Sequence, residues 1–280
     1  MKSLLNELLK NTPVITDGAW GTQMQEKGLG AGECADGWNL AHPERVEEVA
    51  LSYVEAGSRI ILTNTFRSNR IALEQYGLAD KTGAINRAGV EISKRAAGNQ
   101  ALVFASMGPS GKMLFMEEVS AEKLLTVFEE QARALAEAGA DGIVIETMTD
   151  EEEAKLALSA ALKTGLPVVA SMVFDSGRDK DRTMMGLTPE QVAEELIAAG
   201  ADVIFVSLCE RLKSATDLPV WIKSNAGLPE VADGKIFYRM QPDRFAHYAG
   251  LIKEKGASFI GGCCGTTPEF VRALTASLNR

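Results

Sequence analysis

The chain has 280 residues, enough for one large domain or two modest ones, and its 46% hydrophobic and 24% charged content is that of an ordinary globular protein, not a disordered or fibrous one. With 29 Lys and Arg against 38 Asp and Glu the net charge is −9, which repels phosphate backbones and anionic headgroups and excludes nucleic acid and membrane surfaces as partners. No run of about 18 apolar residues is present, and the opening MKSLLNELLK sets Asn6, Glu7 and Lys10 among helically spaced leucines, so it reads as an amphipathic helix rather than a signal peptide and points to a cytoplasmic protein.

Eight short runs rich in Val, Ile, Leu and Phe follow in order, each bounded by turn residues. They are VITDGA from Val14, RIILTNTF from Arg59, ALVFASMG from Ala101, GIVIETM from Gly142, LPVVASMVF from Leu166, DVIFVSLC from Asp202, LPVWIKSN from Leu218 and ASFIGGCC from Ala257. Continuous apolar runs without alternation describe parallel strands buried on both faces. Between them lie helical patterns: PERVEEVALSYVEAG from Pro43, a pair from Ile71 to Ala97, SAEKLLTVFEEQARALAEAG from Ser120, TDEEEAKLALSAALKTG from Thr149, TPEQVAEELIAAG from Thr188, PDRFAHYAGLIKEKG from Pro242 and TPEFVRALTASL from Thr267. Several open on a Ser, Thr or Asp cap, often with Pro next, and close on Gly.

Strand and helix alternating eight times predict an α/β fold, a single (β/α)8 TIM barrel spanning residues 1–280, of the size such barrels commonly have. A doubly wound open sheet is the rival, and the lack of a G-x-G-x-x-G turn after the first strand counts against it. The opening helix is placed either under the barrel or against a second subunit. One connection is too short: only ERLKSATD separates Cys209 from Leu218, whereas a parallel crossover usually takes about a dozen residues or more, so the sixth helix is predicted to be shortened or missing.

Chemistry in this fold collects where the strands end, and the residues there are Asp17, Asn64, Thr65, Gly108, Glu146, Cys209, Asn225, Cys263 and Cys264. Strands six and eight are separated only by strand seven, which brings Cys209, Cys263 and Cys264 near one another. Three thiolates at a barrel mouth suit zinc, which prefers tetrahedral sulfur and nitrogen ligands and leaves one position open when it is catalytic. Adjacent cysteines are also awkward for structural disulfides in a reducing compartment. The two histidines, His42 and His247, fall in helical segments and argue against an imidazole site, and Cys34, in a Gly-rich loop after strand one, reads as a solvent-facing thiol rather than a ligand.

These residues carry a resemblance. The segments DGAWGTQMQ from Asp17, EAGSRIILTNTF from Glu55, SMGPSGK from Ser106, IETMTD from Ile145, SNAGLPE from Ser224 and GGCCGTTPE from Gly261 resemble, in order and over nearly the whole chain, the homocysteine S-methyltransferase family, which includes the homocysteine-binding domain of cobalamin-dependent methionine synthase and betaine-homocysteine methyltransferase. The resemblance implies a cytoplasmic, zinc-dependent methyltransferase that makes methionine. Cys209, Cys263 and Cys264 would hold Zn2+ and the homocysteine sulfur would take the open position. Asp17 and Glu146 would receive the α-amino group, with Asn64 and Thr65 at the substrate. Asn225 would complete the zinc shell when substrate is absent, or simply bond loop backbone.

A metal that binds sulfur supplies the thiolate, the attacking form, at neutral pH. The methyl donor implied is a methylated corrinoid, methylcobalamin on a separate protein, since no folate- or cobalamin-binding domain is expected after residue 280, or a small onium compound, S-methylmethionine or betaine. An onium donor would favour an aromatic cage, for which Trp20, Trp38 and Phe66 are placed in loops. The chain departs from the family at VSLCERLKSATD, which cuts short the loop beside the thiol pocket. Three other readings stand beside this one: a methyltransferase for another thiol, a zinc-binding barrel acting as a non-catalytic subunit, and a Schiff-base aldolase using Lys223, which is otherwise a lysine paired within the barrel.

Overall fold

The computed structural model describes residues 3–179, 181–205, 216–232 and 235–278. In chain order the elements are α1 (Ser3–Leu8), β1 (Val14–Ile15), α2 (Trp20–Glu26), α3 (Trp38–Ala41), α4 (Pro43–Glu55), β2 (Ile60–Leu62), α5 (Arg70–Glu74), α6 (Thr82–Ala97), β3 (Leu102–Met107), α7 (Ala121–Glu137), β4 (Gly142–Met148), α8 (Glu151–Leu162), β5 (Val168–Met172), α9 (Pro189–Ala198) and β6 (Val203–Phe205). After them come β7 (Val220–Ser224), β8 (Glu230–Ala232), β9 (Lys235–Phe237), α10 (Pro242–Glu254), β10 (Phe259–Gly262) and α11 (Pro268–Leu278).

Eight strands pair in parallel in the order β1-β10-β7-β6-β5-β4-β3-β2. The two ends of that order meet: Thr16 bridges Ile60, and the Arg59 amide donates to the Ile15 carbonyl at 2.8 Å. A closed ring of eight parallel strands with helices outside is a TIM barrel, and every one of the eight apolar runs supplies one of its strands. The expected shortening of the sixth helix, like Cys209, falls at 206–215, outside the described residues. Among the described residues no helix is long and apolar enough to cross a membrane.

Side chains alternate across each strand, so the runs divide into two cores. Val14, Ile60, Phe104, Val169, Trp221 and Phe259 point inward and fill the barrel, with Trp221 stacked on Phe259 at 5.3 Å between ring centroids. Their neighbours Ile15, Ile61, Val103, Ile143, Ile204 and Ile260 point outward against the helices. The amphipathic opening helix does cap the barrel: Leu5 and Leu8 of α1 join the inner cluster.

Local chemistry starts the helices. Ser120 accepts from Lys123 N to cap α7, Asp150 caps α8, and Thr188 and Gln191 form a reciprocal capping box ahead of Pro189 on α9. The short helices α2 and α3 and the antiparallel β8–β9 hairpin, which adds a flap after β7, were not expected from the sequence. Their lengths, seven and four residues for the helices and three for each strand, give periodicity too few turns to register.

Candidate active site

A cavity of about 410 Å³ opens at the C-terminal ends of the strands, its wall including Trp20, Cys34, Asn64, Phe66, Arg67, Ser106, Glu146, Thr147, Lys223, Cys263 and Cys264. A larger one, about 540 Å³, lies at the opposite end near Asn11, Pro13 and Arg59 and contains no thiol.

The thiol pair follows β10. The Cys263 amide donates to the Ser224 carbonyl at 2.9 Å, and the Cys264 amide donates to Oδ1 of Asn225 at 3.0 Å, so the loops after β7 and β10 lock together. The amide oxygen of Asn225 is thus committed to loop backbone, and its residue sits outside the cavity wall. Gly265, at φ +78°, turns the chain away where a Cβ would fall 2.3 Å from the Tyr238 ring, so two independent demands make that position glycine. The two neighbouring thiols act on each other: their interaction lowers Cys264 to about 6 and, with burial, raises Cys263.

Behind the thiols lies a buried ion pair. Lys223, on β7, donates to Oδ1 of Asp17 at 2.9 Å, with side-chain exposures of 3% and 0%. The other carboxylate oxygen of Asp17 accepts from Trp20 Nε1 at 2.8 Å and from the Leu62 amide at 2.7 Å. Asp17 is therefore held beneath the cavity wall, with both oxygens engaged by the protein. Burial alone would lower the Lys223 pKa, but Asp17 and Glu146 outweigh it and keep the ammonium charged.

Glu146 reaches the wall through an irregularity. β4 advances three residues, Ile145 to Met148, while β5 advances two, Ala170 to Met172, which is a β-bulge. Its extra residue places Thr147 at φ +64°, a left-handed conformation that a β-branched side chain adopts only under constraint. The bulge aims Glu146 at the cavity, where Ser106 Oγ donates to it. Burial raises the Glu146 pKa, while Lys223 and Ser106 pull it back.

Asn64 lines the cavity and donates to the Ala35 carbonyl at 2.7 Å and to Asn39 Oδ1 at 3.0 Å, anchoring the loop that carries Cys34. Thr65 is fully buried, donates to the Ser106 carbonyl at 2.7 Å and is absent from the wall, so it supports β3. Cys34 is half-buried on the wall rather than turned to solvent, and burial, with the nearby Asp36, raises its thiol pKa. Trp20 and Phe66 line the cavity, whereas Trp38 is buried against α4 and the core.

Sequence reasoning missed Ser106, Thr147 and Arg67. Ser106, one residue from the end of β3, carried the same strand-end signal as Glu146 and could have been found. The bulge at Thr147 has no local sequence signature. Cys209 lies outside the described residues, and among the described residues no group of three or more His, Cys, Asp or Glu is arranged to hold a metal.

Fold and site define a TIM barrel with a thiol-bearing cavity at its C-terminal mouth. Residues 14–278 match the family model described as homocysteine S-methyltransferase, and the chain belongs to that family. It is 30% identical, over an alignment of 308 residues, to a methionine synthase of Mycobacterium leprae (strain TN), covering 99% of this chain and 25% of the relative. A methionine synthase of Mycobacterium tuberculosis (strain ATCC 25618 / H37Rv) is 29% identical with 98% and 25% covered. The chain thus spans about a quarter of the length of these curated relatives. The crystal structure of the homocysteine methyltransferase MmuM from Escherichia coli in its metallated form superposes with a TM-score of 0.79 at 23% identity, covering 98% of both chains.

Proposed function

We propose that this barrel methylates the sulfur of homocysteine, giving methionine. The observation that carries the reading is that the thiol pair Cys263 and Cys264 shares one cavity wall with an anion, Glu146, and a cation, Lys223. A small zwitterion with a thiol tail is the ligand those three features describe. Membership of the homocysteine S-methyltransferase family supports the same substrate.

The donor set fits a soft metal. Two neighbouring free thiols on one cavity wall are the ligand type zinc selects. Cys263 and Cys264, with Cys209 as the third sulfur, would hold zinc, which when bound stabilises the thiolate form of a sulfur placed beside it. The chain's own residues do the rest. Glu146, oriented by Ser106, accepts the α-ammonium in a charge-assisted bond typically contributing about 1.5–3 kcal/mol. Asp17 acts from behind by fixing Lys223, and Trp20 and Phe66 wall the cavity against water.

In the reaction the substrate sulfur, its thiol proton given up to solvent on binding, attacks the methyl carbon, the new S–C bond forms as the bond from methyl to donor breaks, and the electron pair leaves with the donor. The donor is a methylated corrinoid on a separate protein or a small onium compound, S-methylmethionine or betaine. A reducing cytoplasm keeps the thiol pair reduced, as the chemistry requires. The Schiff-base reading loses ground because Lys223 is held charged by Asp17, and a protonated amine is no nucleophile.

The test is metal content of the purified protein with X-ray absorption at the zinc edge, before and after L-homocysteine. One zinc whose sulfur ligands rise from three to four supports the reading, and the three donors are then screened. No zinc, or a sulfur count that homocysteine leaves unchanged, overturns it in favour of another thiol or a non-catalytic zinc barrel.

A further inference from the structure

Lys223 has more donors than partners. Its ammonium carries three N–H groups, and among the described residues its hydrogen-bond partner is Asp17 alone. The side chain is almost wholly buried, yet it forms part of the cavity wall. A buried ammonium with unfilled donors at the edge of a cavity is a group awaiting an acceptor. Glu146 is near enough for its charge to act on Lys223, but the two form no ion pair. Cation and anion stand apart on one wall, beside the thiol pair.

We propose that Lys223 is the carboxylate anchor of the acceptor amino acid, a specificity-determining residue. The α-carboxylate takes the free N–H donors of Lys223 while the α-ammonium meets Glu146. The zwitterion fills the gap between two opposite charges that the protein does not pair with each other, and the thiol tail then points to Cys263 and Cys264. Asp17 keeps Lys223 charged and oriented, so the anchor is preorganised and loses little freedom when the carboxylate arrives. Lys223 comes from β7 and Glu146 from β4, so two separate strands present the two charges to one cavity. A thiol lacking either charge leaves one buried group without its partner. This inference rests on the proposed homocysteine chemistry and assigns the residue that reads the carboxylate.

The test compares three thiols by calorimetric titration of the zinc-loaded protein: L-homocysteine, its decarboxylated analogue homocysteamine and its deaminated analogue mercaptobutyrate. The wild type is expected to bind homocysteine about 10- to 100-fold more tightly than homocysteamine. Lys223→Gln should lose that preference by weakening homocysteine alone, with homocysteamine affinity held within about two-fold. Since K223Q leaves Asp17 buried without its cation, the doubly neutral D17N/K223Q is measured as well and should show the same loss of preference. Equal binding of homocysteine and homocysteamine by the wild type, or equal weakening of both in the variants, overturns the assignment. Mercaptobutyrate, which keeps the carboxylate, should weaken in Lys223→Gln as homocysteine does, and an unchanged affinity there overturns the assignment as well. A wild type that binds none of the three thiols defeats the homocysteine reading instead, so the two failures are distinguishable.

Discussion

Nζ of Lys223 lies 2.9 Å from Oδ1 of Asp17, a fully buried ion pair that joins β7 to the residue closing β1, with β10 between them. Removing one partner of such a pair strands the other charge in a low-dielectric interior, at a cost of about 3–5 kcal/mol, whereas removing both is far less costly. Asp17→Asn and Lys223→Met are each expected to destabilise the barrel by about that much. The double variant should recover at least half of the summed loss. Urea denaturation of the four proteins in a double-mutant cycle measures it; additive losses would show that the pair contributes no coupling.

The β4 bulge stores strain where the site needs it. Thr147 sits at φ +64°, a conformation costing a non-glycine residue about 1–2 kcal/mol, and glycine would relieve it while giving back about 0.5–1 kcal/mol in chain entropy. Thr147→Gly is therefore expected to raise stability by about 0.5–1 kcal/mol and at the same time weaken homocysteine binding, because the neighbouring Glu146 is aimed less firmly. Stability from urea melts and affinity from calorimetry should move in opposite directions. If both fall together, the bulge is not a strained device for orienting Glu146.

The glycines before the thiol pair are a packing requirement. A Cβ on Gly261 would fall 1.9 Å from Thr16 Oγ1 and 2.8 Å from the Asp17 carbonyl, where β10 lies against the end of β1. Gly261→Ala forces β10 away from that contact, and overpacking of this kind costs about 1–3 kcal/mol or more. Lower thermal stability with reduced homocysteine affinity is expected, since Cys263 begins two residues on. Wild-type stability in this variant would mean that β1 gives way at no cost.

Burial divided what was legible in the sequence from what was not. The eight strands could be read because each is apolar on both faces, Ile60 inward and Ile61 outward on β2 for example, and that double burial leaves an unbroken hydrophobic run. The strand-end rule then found Glu146, Cys263 and Cys264 on the cavity wall. It could not tell that Asp17 faces Lys223, because ion pairing across the barrel depends on which way two side chains turn 206 positions apart. Nor could it place Cys34, whose loop is fastened to the wall by Asn64 through Ala35 and whose thiol is turned inward by that long-range bond.

The opening helix is a plug that can be removed. Leu5, fully buried, closes the N-terminal end of the barrel among the inward residues Val14, Ile60 and Phe259. Leu5→Ala leaves a cavity and is expected to cost about 2–5 kcal/mol in urea unfolding, as buried Leu→Ala changes do. Homocysteine affinity, set at the opposite end of the barrel, should be unchanged. A loss below about 0.5 kcal/mol would place α1 outside the cooperative core.

Glu146 gives the site a pH dependence whose sign follows from its burial. Desolvation raises its pKa above the ordinary glutamate range, with Lys223 and Ser106 opposing. Only the ionised carboxylate holds an ammonium, and the ammonium of homocysteine stays protonated throughout acidic pH. Affinity should therefore fall as pH drops through the raised pKa, earlier than it would for an exposed glutamate. Binding also lowers that pKa, so within the same window homocysteine uptake should release a proton beyond the one the thiol gives up, visible as a larger dependence of the calorimetric heat on the buffer's ionisation enthalpy. Stability runs the other way: the fold favours the protonated acid, so stability drops as pH rises from the ordinary to the raised value. Glu146→Gln should abolish the stability dependence and the added slope of affinity within that window, leaving the slope that release of the thiol proton imposes, and weaken homocysteine about 10- to 100-fold. An affinity profile of the same slope in the wild type and in Glu146→Gln, from pH 8 down to the ordinary glutamate range, would show that Glu146 does not receive the ammonium.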